Sequence, residues 1–171
     1  MKKLLVVVDM QNDFVTGALG SPAAQKAEAA LAALLPEWCK EGEVAFTLDT
    51  HGEDYRSTRE GKLLPVKHCV KGTAGWEIVP ALKPFLQNAA IFEKPTFGSV
   101  ALADYVKRGN YDEVTFAGVC TDICVVSNAL LVKAYCPELE VKVLSACTAG
   151  TSEEAHEAAL LTMRSCQITV L

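Results

Sequence analysis

A chain of 171 residues, half of them hydrophobic and 22% charged, can bury one sizeable core but not two, so a single domain over residues 1–171 is expected. Its net charge of −5 is spread along the chain, which excludes the basic footprint of a nucleic-acid binder and leaves small neutral molecules as the favoured partners. No apolar run approaches the length of a membrane span, so no membrane partner is expected.

Short, continuous apolar runs alternate with longer amphipathic stretches, the pattern of parallel strands buried on both faces with helices over them. The fold class is read as α/β. The first strand, Leu4–Val8, follows Met1-Lys2-Lys3; its run is too short and too abruptly ended by Asp9 for a secretory leader. It closes in VVVDMQNDF, with Asp9 at the strand end and Phe14 beyond it. An aspartate there is often only a turn residue. An alanine-rich helix, Ala23–Leu35, comes next, with Pro36 expected to end or kink it.

The second strand, Val44–Leu48, ends in TLDTH, and Asp49 and His51, one residue apart, point to the same side of extended backbone. From Thr50 to about Gly75 the chain is polar and broken, and a long irregular loop inside a compact domain is usually functional. It carries Glu60 and His68, so two of the three histidines lie close to two carboxylates. Imidazole with carboxylate suits zinc, iron or manganese, although spacing alone does not separate a metal site from a solvated loop. The remaining histidine, His156, is read as exposed on a polar helix face.

The third strand, Ala89–Phe92, leads to Lys94 in IFEKPTFGS. Lysines at such ends are usually solvated, but one that turns inward beside an acid carries a charge of much greater weight. An amphipathic helix, Ser99–Lys107, follows. The fourth strand, Val114–Gly118, and the helix Asp122–Tyr135 are joined by a tight turn, and Cys124 falls in the first turn of that helix. Unpaired amides and the helix dipole would lower a thiol pKa there, as at a nucleophile elbow, although GxSxG is absent. Any one of seven cysteines is by default a buried thiol, and Cys120 competes for the role. The seven form an odd, irregular set, which reads as reduced thiols in a cytoplasmic protein. Pro137 closes that helix, Val141–Leu144 is the fifth strand, and Glu153–Arg164 is a last helix opened by a capping-box pattern, Thr151-Ser152-Glu153-Glu154. Ile168–Val170 is the sixth strand. Asp9, Lys94 and Cys124 thus supply an acid/base, a cation and a nucleophile at one sheet edge, where α/β folds bind ligands.

These segments resemble the isochorismatase-like cysteine hydrolases along nearly the whole chain: VVDMQNDF, TLDTH, EKPTFGS, GVCTDICV and TAGTSEEAHEAALLTM match in order and spacing. The resemblance implies a three-layer α/β/α sandwich with a six-stranded parallel sheet. It implies a catalytic triad of Asp9, Lys94 and Cys124, a cis peptide at Val119–Cys120, and an oxyanion hole from the amides of Cys120 and Cys124. Within the superfamily the nicotinamidases add one divalent metal, zinc first with iron or manganese as alternatives. The set that carries over is Asp49, His51 and His68, with Glu60 as a fourth ligand from the loop. Aromatic side chains sandwich the pyridine ring in those enzymes; Phe14 carries over, with Val119 beside it and Trp76 or Phe97 opposite, because the aromatic residue that precedes the second histidine in some members is missing. Nicotinamide hydrolysis through a cysteine thioester, in NAD salvage, is the activity implied, with a homo-oligomer as a common state of relatives. The alternatives are an amidase acting on ureido, carbamoyl or simple amides, and a catalytically silent binding protein whose Cys124 senses oxidants. A Rossmann-type nucleotide site is excluded because DMQNDF stands where a glycine-rich turn would be.

Overall fold

In a computed structural model that describes residues 1–171, six strands form one sheet: β1 (Lys3–Val8), β2 (Glu43–Asp49), β3 (Ala90–Lys94), β4 (Glu113–Val119), β5 (Glu140–Ala149) and β6 (Thr169–Val170). Their order is β3-β2-β1-β4-β5-β6, with every pairing parallel. The main helices are α1 (Asn12–Val15), α2 (Pro22–Glu41), α3 (Arg59–Leu63), α4 (Val100–Gly109), α5 (Val126–Tyr135) and α6 (Glu153–Ser165).

The alternation of side chains along β1 divides the core into two layers. Leu4, Val6 and Val8 pack with Leu102 and Val106 of α4, Ala129 and Val132 of α5, and Leu160 and Met163 of α6. Leu5 and Val7 face the other way, against Ala24, Ala27, Leu31 and Leu35 of α2 and Leu82 of the 3-10 segment Pro80–Leu86. Each such side chain, fully buried, contributes about 1.5–3 kcal/mol. A strand covered on both faces must be apolar at every position, which is why β1 reads LLVVV. The three-layer α/β/α sandwich with a six-stranded parallel sheet is therefore the fold observed.

The sheet order reverses between β1 and β4, and the crevice at the carboxyl ends of these two strands is where such folds hold ligands. Gly118 makes this junction close: its φ is +109°, and a Cβ there would lie 2.1 Å from the Val8 carbonyl oxygen. Only glycine allows β4 to approach β1 so tightly immediately before the turn.

Several sequence-based boundaries shift. Helix α2 runs through Pro36 to Glu41. Pro36 is exposed, so the carbonyl it leaves without a donor is free to bond water, and the Trp38 indole N–H holds the last turn by donating to the Glu43 carbonyl at 3.1 Å. The expected irregular loop contains a 3-10 turn, Tyr55–Ser57, and α3, capped by the Thr58 hydroxyl. Lys94 is the last residue of β3 rather than a residue beyond it. β5 extends five residues past Leu144, across an irregularity in its register with β4 between Phe116 and Gly118. The helix expected over Asp122–Tyr135 is two pieces, a π-turn at Thr121–Val125 and then α5. Ser152 caps α6 by accepting from the Ala155 amide, so no glutamate occupies the reciprocal position of a capping box.

Candidate functional site

Three strand ends bring the predicted triad together. Asp9 follows β1 in left-handed backbone (φ +49°), a conformation aspartate tolerates better than most residues. Lys94 ends β3, and Cys124 sits in the π-turn after β4. The Lys94 ammonium, only 1% exposed, lies 2.6 Å from Asp9 Oδ2 and donates to Cys124 Sγ at 3.4 Å and to the Thr96 carbonyl at 3.1 Å. Asp9 is wholly buried; its Oδ1 accepts from the Thr47 hydroxyl at 2.6 Å, whereas Oδ2 meets Lys94 outside hydrogen-bond geometry and has no other partner. Oδ2 is thus held by the Lys94 charge, with Thr47 bound to the other oxygen.

Burial dominates the electrostatics of the trio. It raises the Asp9 carboxyl, with Lys94 opposing and Asp49 adding to the rise. Burial alone would pull the Lys94 ammonium down, but Asp9, Cys124 and Asp49 outweigh it and keep it charged. The Cys124 thiol is pushed well up by burial and by the neighbouring Asp9 charge, and Lys94 only partly offsets this. The lowered thiol pKa expected from the helix start is therefore not found, because the dipole of a short turn is weaker than full desolvation beside a carboxylate. Cys120, the competitor, is pushed up to about 12 by burial and the Asp122 charge, with Lys94 only a minor opposing influence.

The second cluster adjoins the first through the sheet register. Asp49 is the strand partner of Lys94, so their side chains stand together, Oδ1 to Nζ at 3.6 Å. Its other oxygen, Oδ2, lies 2.9 Å from His51 Nε2 and 3.4 Å from His68 Nε2. Glu60 Oε1, delivered by α3, is 3.6 Å from His51 Nε2 and 3.8 Å from His68 Nε2. The four donor atoms all fall within 4.8 Å of one another, close enough to surround one ion. His68 Nδ1 is 2.7 Å from the Val66 carbonyl, which leaves Nε2 facing the cluster as a ligand nitrogen. Burial works to raise the Asp49 carboxyl, but hydrogen bonds from His51 and His68 and the Lys94 charge overcome it and hold it ionised. The set of two imidazoles and two carboxylates fits a divalent transition metal.

Both clusters open on a cavity of about 400 Å³ whose lining includes Phe14, Asp49, Glu60, His68, Cys120 and Cys124. Val119, Phe97 and Leu64 line it as well. Trp76 does not line it: its indole N–H donates to the Thr50 hydroxyl at 2.9 Å and its ring packs into the α2 side of the core. The Val119–Cys120 peptide is cis, and none of the turn, loop and cap hydrogen bonds is donated by the Cys120 amide.

Sequence reasoning missed three supporting residues. Thr47 has a signal in retrospect, a hydroxyl in an otherwise apolar buried strand and in period with Asp49. Asn128, fully buried on α5, donates to the Cys124 carbonyl at 2.8 Å and the Phe97 carbonyl at 3.0 Å and accepts from the Ser99 amide at 2.9 Å. His156 is half-buried rather than exposed, its Nδ1 2.8 Å from the Thr121 hydroxyl.

Comparison with known proteins adds a family to this geometry. The model of the isochorismatase domain matches residues 3–171. An uncharacterized isochorismatase family protein, PncA, of Bacillus subtilis is 32% identical, covering 94% of this chain and 93% of its own. The nicotinamidase/pyrazinamidase of Mycobacterium tuberculosis is 29% identical, with 99% and 98% covered. The crystal structure of the pyrazinamidase of Pyrococcus horikoshii in complex with zinc superposes with a TM-score of 0.86 at 29% identity, covering 99% of this chain and 98% of that one.

Proposed function

Because the chain belongs to the isochorismatase-domain family, we propose that it is a metal-assisted cysteine amidohydrolase that converts nicotinamide and water to nicotinate and ammonia. The observation that carries this reading is Lys94, whose one ammonium touches Asp9 and Cys124 beside a four-donor cluster in the same cavity. Relatives named as nicotinamidases, in Mycobacterium tuberculosis, Arabidopsis thaliana and Saccharomyces cerevisiae, support the choice of amide.

In this reading Asp49, His51, His68 and Glu60 hold one divalent ion, zinc foremost given the zinc complex of the Pyrococcus horikoshii enzyme. Bound there, such an ion would supply a Lewis-acid anchor that orients the amide over Cys124. Phe14, Val119, Phe97 and Leu64 line the space that the ring would enter. The Cys124 thiol gives its proton to Asp9 Oδ2 as sulfur attacks the carboxamide carbon. Burial raises the Asp9 carboxyl and so makes it a better proton acceptor, and Lys94 stays charged beside the sulfur as it becomes anionic. The amides of Cys120 and Cys124 receive the developing oxyanion, worth roughly 3–4 kcal/mol for each donor. Asp9 returns its proton to the leaving ammonia, then draws one from a water that attacks the thioester; the C–S bond breaks, nicotinate leaves, and Asp9 passes that proton to the Cys124 sulfur to restore the starting state.

We infer further that the chain acts as one catalytic domain in pyridine-nucleotide salvage. Seven unpaired cysteines support a reducing, cytoplasmic setting, and no helix is long and apolar enough to cross a membrane.

The test is ammonia release from nicotinamide by the purified protein, beside Cys124→Ala and a chelated sample. Loss of turnover in both, with the Cys124→Ala protein still folded, is the expected result. Turnover retained by Cys124→Ala ends the nucleophile assignment, and a metal-loaded protein inactive on nicotinamide but active on a ureido or carbamoyl amide moves the substrate elsewhere in the family.

A further inference from the structure

The π-turn that carries Cys124 is pinned from outside the triad. Its first two residues are held by side-chain bonds to a single neighbouring region, the corner between β5 and α6. The Thr121 hydroxyl, fully buried, shares a 2.8 Å hydrogen bond with His156 Nδ1 on the first turns of α6. Asp122 accepts from the Thr151 amide at 2.9 Å and from the Thr151 hydroxyl at 2.6 Å. Between these two bonds sits Gly150, where a Cβ would lie 2.8 Å from His156 Cβ and 2.9 Å from Asp122 Oδ1. Turn, corner and helix therefore touch without slack.

The turn's other ties are local or reach its Cys124 end, where Lys94 donates to Sγ and Asn128, itself bonded to Phe97 and Ser99, donates to the carbonyl. The Ile123 and Val125 amides both donate to the Cys120 carbonyl at 3.1 Å, and the Ser127 hydroxyl donates to the Ile123 carbonyl at 2.6 Å. The local bonds shape the turn, and Lys94 and Asn128 hold its Cys124 end. Placement of Thr121, one residue after Cys120 and three before Cys124, falls to the α6 corner. Gly150 and Thr151 of that corner also line the cavity with Cys120 and Cys124, so the corner that holds the turn forms part of the cavity wall as well.

We propose that His156 is a positioning residue: through Thr121 it sets the orientation of the nucleophile turn, and with it the approach of Cys124 to the bound amide. It touches neither substrate nor reacting atoms. The inference rests on the hydrolase reading above. A displacement of an ångström at a reacting centre costs on the order of a hundredfold in rate, so a partial release of the turn is expected to show in kcat.

The experiment compares His156→Ala, Thr121→Val, the double variant and His156→Asn with the metal-loaded wild type, reading kcat and KM for nicotinamide, the Cys124 alkylation rate with iodoacetamide, and the thermal midpoint. His156→Ala and Thr121→Val should each lower kcat about tenfold with KM within about twofold. The double variant should be no worse than either single, because both remove one bond. His156→Asn, whose amide nitrogen or oxygen can stand where Nδ1 does, should recover most of the loss, which a merely destabilised helix would not do. Unchanged kcat in His156→Ala, a loss confined to KM, or a double variant whose loss is the product of the singles overturns the proposal. If the wild type releases no ammonia from nicotinamide, the functional reading fails on its own. The alkylation rate then decides: an equal change in both singles and the double supports the positioning role, and an unchanged rate ends it.

Discussion

Replacing Lys94 by methionine tests the electrostatic core of the site. The ammonium is 1% exposed and the Asp9 carboxylate beside it is wholly buried, 2.6 Å away. Without it, Asp9 keeps one hydrogen bond, from Thr47, and faces a second carboxylate at Asp49. An uncompensated buried charge of this kind costs about 3–5 kcal/mol. The variant can avoid part of that cost by protonating Asp9. Burial already raises this carboxyl in the wild type with Lys94 opposing, so removing Lys94 raises it further. The folded state then holds a proton that the unfolded state releases. Its stabilising effect is complete below the unfolded pKa, declines by up to about 1.4 kcal/mol per pH unit above it, and is lost once the pH passes the folded pKa. Urea unfolding at several values between about pH 5 and 8 should therefore show Lys94→Met most stable in mild acid and several kcal/mol below wild type at neutral pH. Adding Asp9→Asn removes the stranded charge and should return most of the stability with a flat pH profile. Ammonia release should fall by about 10²–10⁴, since a protonated Asp9 accepts no thiol proton. A Lys94→Met protein as stable as wild type across that range, or a double variant no more stable than the single, would refute the reasoning.

Gly118→Ala places a Cβ 2.1 Å from a β1 carbonyl at φ +109°, where backbone cannot yield, so urea unfolding should show a loss of at least about 2 kcal/mol; a near-neutral result means β1 and β4 can separate. His68→Ala removes one of four converging donors, and its metal affinity, followed by competition with a fluorescent chelator, should drop by more than about a hundredfold. An unchanged metal content after gel filtration would remove His68 from the ligand set. Because burial and Asp9 push the Cys124 thiol up, its alkylation by iodoacetamide should be slow at neutral pH and rise about tenfold per pH unit into the alkaline range. A rate already at its plateau near neutrality would mean a preformed thiolate.

The six strands were legible because strands buried on both faces must be apolar throughout, and the site was legible because its acids, base and thiol cluster at the ends of those runs. β5 was underestimated because its second half, Ser145–Ala149, carries no apolar run and is held as strand by pairing with β4 across a register change. Pro36 marks no helix end because Leu31 and Leu35 anchor the stretch before it and it lies on the outer side. Trp76 lies close to His68 in sequence, but the fold turns its indole to Thr50 instead. The Thr121–His156 bond joins residues 35 apart, and neither carries a local pattern that points to the other. The thiol pKa was misjudged for a related reason: helix position is visible in a sequence, whereas the depth of burial around one sulfur is not.

Asp49 has one oxygen turned to the imidazoles and the other to Lys94. The two halves of the site cannot be retuned independently at that position. An attempt to adapt the protein to a softer or harder ion has His51, Glu60 and His68 as its adjustable positions, while any exchange at Asp49 also changes the charge felt by the amine that serves the nucleophile. For the same reason, in the proposed metal-loaded enzyme a titration with chelator would alter the field at the sulfur along with the ligand sphere, and a rate lost on chelation would contain both effects. Separating them calls for a substrate lacking the ring nitrogen, on which a residual metal dependence reports the field alone.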